Sequence, residues 1–103
     1  MKDYFITHRS DGNLEFTLLH IGTLTQFQNF TDYLIKQYGG KIIERKSIFY
    51  ALGRHIQFGD VSLLFWWDDM DDIIIVTKNA EQEALAKKFI EETKSMTFDN
   101  PLP

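Results

Sequence analysis

Leu14, Phe16 and Leu18 alternate with Glu15 and Thr17, the two-residue period of a strand with one buried face. The run from Tyr4 to His8 lies before it across Arg-Ser-Asp-Gly-Asn, whose Asp11-Gly12 is a turn signal, so the chain is predicted to open with a hairpin. From Leu24 the period lengthens. Phe27, Phe30, Leu34 and Tyr38 recur at spacings of three and four, which predicts a helix over 24–38. Thr25-x-x-Gln28 reads as its capping box and Gly39-Gly40 as its stop. Strand character returns from Lys41 to Tyr50 through Ile42, Ile43, Ile48 and Phe49, and Gly53 and Gly59 bracket a further short strand or bend. Two near-continuous apolar runs, Val61 to Asp68 and Ile73 to Lys78, predict a central hairpin. Asn79, with Gln82 three residues on, caps a last helix whose inner stripe is Leu85/Phe89 and Ala86/Ile90. The tail Phe98-Asp-Asn-Pro-Leu-Pro cannot continue that helix, and residues 96–103 are expected to be loosely held.

The element order is then ββαβ(β)ββα. It predicts a single α+β domain over 1–103, an antiparallel sheet of about five strands with both helices on one face. Hydrophobic residues at 44% and charged residues at 25% are globular usage, so a packed core is expected rather than disorder. Nine Phe, four Tyr and two Trp give a small domain a dense core or leave aromatics over for a contact surface. With no cysteine there is no disulfide framework and no thiolate metal site. No apolar run approaches the ~18 residues of a membrane span, and a cytoplasmic location is the expectation.

Charge is distributed in blocks. Lys41, Arg45, Lys46 and Arg54 outweigh Glu44 between 41 and 55, whereas 60–72 carries five aspartates and no cation. Four of these, Asp68, Asp69, Asp71 and Asp72, surround Met70 at the tip of the predicted central hairpin. A divalent cation wants several oxygens, but this spacing lacks the alternating ligands and glycine of a calcium loop, so no metal is assigned. A general acid/base pair needs a pocket and contrasting environments, which a loop tip does not supply. His8, His20 and His55 share no ligand spacing, and Ser10, Ser47, Ser62 and Ser95 sit in no nucleophile elbow. The chain is therefore expected to be non-enzymatic and free of cofactors. Lys41 to His55 interleaves cations with Phe49 and Tyr50, which suits single-stranded nucleic acid, but the neighbouring aspartates and a net charge of −4 oppose phosphate. Trp66 and Trp67 are consecutive and must point to opposite sheet faces. Val61, Leu63, Phe65 and Trp67 form the more apolar set, so Phe65 and Trp67 are predicted in the core and Trp66 towards the open side.

Small size, acidic balance, absence of cysteine and the segment Phe65-Trp-Trp-Asp-Asp-Met-Asp-Asp72 give the chain a general similarity to bacterial immunity proteins, especially those of contact-dependent growth inhibition systems. The resemblance implies a cytosolic inhibitor that binds a cognate toxin domain, most often a nuclease, and blocks its active site or substrate surface. In that role Asp68, Asp69, Asp71 and Asp72 would meet the partner's cations, Trp66 would anchor and Met70 would adapt. The basic stretch from Lys41 to His55 departs from a uniformly acidic inhibitor. Two alternatives stand beside it: a homodimeric structural or regulatory domain joined through the second sheet face, and an enzyme or nucleic-acid binder.

Overall fold

The structure, a computed structural model, describes residues 3–101. Its element order is β1 (Tyr4–His8), β2 (Leu14–Leu18), α1 (Leu24–Tyr38), β3 (Lys41–Ile48), β4 (Ala51–Phe58), β5 (Val61–Asp68), β6 (Asp72–Thr77) and α2 (Ala80–Thr93). All neighbouring strands are antiparallel, in the order β1-β2-β6-β5-β4-β3. The α+β class holds, with six strands instead of about five. The extra strand comes from Gly53, which lies inside β4 rather than at its border. The Trp66 ring sits over it so closely that an added Cβ would lie 3.0 Å from Cε3, so the glycine makes room for an indole and does not break the strand.

Both helices cover the same sheet face. Phe16, Ile56, Phe58, Leu63, Phe65, Ile73 and Ile75 rise from that face and are buried against Phe27, Phe30 and Leu34 of α1 and Ala86, Phe89 and Ile90 of α2. Ring contacts join the layers: Phe30 meets Phe65 edge-on at 6.0 Å and Phe58 meets Phe89 at 4.8 Å. Phe65 is core as expected. Trp67 shares its face but stays half-buried at the margin, where Nε1 donates to the Gly22 carbonyl at 2.9 Å.

Two local expectations are corrected. The capping box of α1 is Thr23-x-x-Gln26, not Thr25-x-x-Gln28: Thr23 Oγ1 accepts from the Gln26 amide at 3.1 Å, and Gln26 Oε1 accepts from the amides of Thr23 and Gly22. Both segments read T-x-x-Q, and the earlier one wins because it keeps Leu24 inside the helix. At the far end Gly39, in the left-handed region at φ 68°, closes α1 as its C-cap. The second correction concerns the tail, which is docked up to Asp99. Phe98 is buried between Phe30 and Tyr33, its carbonyl accepts from Asn29 Nδ2 at 2.9 Å, and Asp99 accepts from Gln26 Nε2. The aromatic repays what a bare Pro/Asn-rich tail could not. Leu102 and Pro103 lie outside the described residues.

Candidate protein-binding surface

Strands β5 and β6 pair from Leu64↔Val76 to Asp68↔Asp72, so residues 69–71 form a three-residue turn at one end of the sheet. Asp71 adopts φ 59°, the left-handed position that such a turn needs and that aspartate tolerates better than most residues. The four aspartates are not equivalent. Asp68 Oδ1 accepts from the Met70 amide at 2.9 Å and the Asp72 amide at 3.4 Å, holding the turn together from within. Asp69, Asp71 and Asp72 are exposed and face solvent. Asp68 and Asp72 stand directly opposite each other, a like-charge pair that an external cation would relieve.

The turn does not stand alone. Ala51 pairs with Asp68, and the Asp69 amide donates to the Tyr50 carbonyl at 2.9 Å, so the β3–β4 tip lies beside the β5–β6 tip. That neighbour carries Ile48, Phe49 and Tyr50, all exposed, with Phe49 fully so at 106%. Met70 is 80% exposed at the acidic tip. On the other flank, Gly22 approaches Asp71 so closely that a Cβ there would collide with the Asp71 carbonyl. One end of the sheet thus presents an aromatic ridge beside a carboxylate ridge, and residues 48–50 and 68–72 contain no lysine or arginine. Ile48, Phe49 and Tyr50 thus belong to this surface and not only to the basic strand that precedes it. The available signal was their apolar run, which breaks the alternation at a strand end.

Trp66 sits on the uncovered face, half-buried, in the register row Phe5, Thr17, Ile74, Trp66, Gly53, Lys46. Among the described residues neither the N-terminal hairpin nor the tail closes this face: the hairpin extends the sheet edge, and Phe98 packs on the helical side. Trp66 is therefore separate from the tip aromatics, and Asp68 follows it two residues on along the same strand face.

The basic segment is divided by strand alternation. Arg45 and Arg54 are register partners, and Arg54 reaches Thr31 and Asp32 of α1, which puts both arginines on the helical side; Lys46, opposite Gly53, takes the open side. Strand alternation thus divides the cations of this segment between the two sheet faces. On the open face His55 Nε2 lies 2.9 Å from Ser62 Oγ, with Glu44 opposite His55 in the register. This is the residue order of a nucleophile, a base and an acid. Glu44 is directed to Lys46 at 3.4 Å rather than to His55. Among the described residues no group of three or more His, Asp or Glu side chains is placed to hold a metal ion, and no helix is long and apolar enough to cross a membrane.

Comparison with protein-family models, with curated proteins and with solved structures returned no match.

Proposed function

We propose that this chain is a non-catalytic binding module that covers a cationic surface on a partner protein, in the manner of an immunity protein neutralising its cognate toxin domain, with a nuclease as the best-fitting class. The observation that carries this reading is the side-by-side placement of the Ile48-Phe49-Tyr50 tip and the Asp68–Asp72 tip. An exposed aromatic cluster supplies the desolvated centre of an interface, and flanking carboxylates steer a basic partner to it and repel acidic ones. A nuclease cleft is positive because its substrate is negative, so aspartates can occupy phosphate positions. Asp69, Asp71 and Asp72 are the partner-facing carboxylates, Asp68 shapes the turn, and Phe49, Tyr50, Met70 and Trp66 offer the apolar contact.

The test pairs the protein with the product of the adjacent upstream reading frame. Co-expression should rescue growth, and Asp69→Lys/Asp71→Lys should lower affinity at least about tenfold, slow association and flatten its salt dependence. Asp60→Lys/Glu81→Lys, with the same change in net charge on the opposite end of the sheet, should leave binding nearly intact. Equal loss in both double variants, or none in the first, would remove the tip from the interface; absence of any rescue or binding would remove the immunity reading.

A second reading is self-association through the open sheet face, supported by the half-exposed Leu64, Trp66 and Ile74, which no element covers.

A further inference from the structure

Arg45 and Arg54 stand directly opposite each other on β3 and β4, on the helical side of the sheet. Like charges in register destabilise a strand pair, so their retention on one face calls for a compensating anion. Arg54 has a partial one. Its Nη1 donates to Asp32 Oδ1 at 2.8 Å and to Thr31 Oγ1 at 2.7 Å, and its guanidinium lies 5.9 Å from the centre of the Phe27 ring. Held on three sides with 18% of its side chain exposed, Arg54 is already oriented. The Arg45 side chain makes no ion pair and no hydrogen bond among the described residues. Two guanidinium groups against the Asp32 carboxylate leave one cation in excess.

Both arginines line a groove of about 250 Å³ between the start of α1 and the β3–β4 ribbon, whose other walls include Leu24, Phe27, Gln28 and Leu52. Leu24 and Phe27 pack with the core, so the floor is apolar and fixed while the arginines form a polar wall. The volume falls just below the ~300–1,000 Å³ of drug-sized sites, which suits a fragment-sized molecule. We propose that this groove binds a small amphipathic organic anion, its phosphate or carboxylate held by Arg45 and Arg54 and its apolar body laid against Leu24, Phe27 and Leu52. Arginine forks match the planar carboxylate and the phosphate face better than lysine would, and Gln28 adds a neutral hydrogen-bonding group. The groove is independent of the acidic and aromatic tips, and neither reading depends on the other.

The test is titration of the isotope-labelled full chain with phenyl phosphate, benzoate, inorganic phosphate and phenol, followed by nuclear magnetic resonance. Saturable shifts confined to the groove lining, Gln28 and residues 45–47 and 52–54 among it, with phenyl phosphate or benzoate support the site, and the tighter of the two names the head group. Arg45→Gln should weaken that binding at least about tenfold and reduce the rise in melting temperature that a fixed ligand concentration gives the native chain. Arg45 is exposed on an edge strand, so the variant should fold; Arg54→Lys serves as a second variant. No saturable shifts, shifts scattered over surface lysines, or equal affinity in Arg45→Gln would overturn the proposal. Phenyl phosphate and inorganic phosphate binding equally well would overturn the amphipathic class.

Discussion

At the residue scale, similar side chains take different work from their surroundings. Asp68 and Asp69 are neighbours, yet one carboxylate is turned back onto its own turn, accepting from the Met70 and Asp72 amides, and the other is left to solvent. Trp66 and Trp67 separate by strand parity: Trp67 hydrogen-bonds the loop before α1 and Trp66 lies over Gly53 on the open face. His20 illustrates the cost of burial. Neither ring nitrogen has a well-formed hydrogen bond among the described residues, and desolvation lowers its pKa below the ordinary 6.5; the Asp3 carboxylate and the Thr93 backbone pull upward and are outweighed. The unfolded chain therefore takes up the proton first as pH falls. Stability associated with His20 is complete above the unfolded pKa and is lost as pH drops from 6.5 towards the folded value. Thermal unfolding followed from about pH 7.5 to pH 5 should show a steeper loss for the native chain than for His20→Gln, while parallel curves would contradict the assignment.

At the scale of elements, the tail shows how one side chain decides whether a segment is held. Backbone composition over 96–103 favours no regular structure, but Phe98 reaches a slot between Phe30 and Tyr33, and its carbonyl satisfies the buried Asn29 amide. Phe98→Ala should cost about 2–4 kcal/mol, towards the lower part of the range for a buried phenylalanine because a terminal segment can detach and relax. A change below about 0.5 kcal/mol in denaturant unfolding would mean that the tail contributes no packing. The helices and the strands with strong alternation or long apolar runs were legible in the sequence, including α1 over 24–38 and the Asn79 cap of α2. The two misplaced features, the α1 capping box and the extent of β4, share a cause. Thr23 and Thr25 are equivalent as local signals, and Gly53 reads as a breaker until the Trp66 ring over it is seen.

At the scale of the whole molecule, two helices on one face leave the other face of the six-stranded sheet uncovered, and the two hairpin tips meet at one end. The two proposed surfaces make different predictions about assembly. If the tips engage a separate partner, sedimentation of the purified chain at micromolar concentration should show a monomer, with the net charge of −4 opposing self-association. A tight dimer dispersed by Trp66→Lys would instead favour pairing through the open face. The sequence by itself determined the class of the fold, the period of most elements, the acidic tip and the opposed faces of the two tryptophans, because these follow from local spacing and strand parity. Tertiary structure alone decided which turn lies beside which, and so joined Phe49 and Tyr50 to the aspartates, returned Asp68 to its own backbone and brought Arg45 and Arg54 to one groove. Strand register is a long-range choice set by how the inner face packs beneath the helices, and no local pattern in the chain encodes the neighbours it creates.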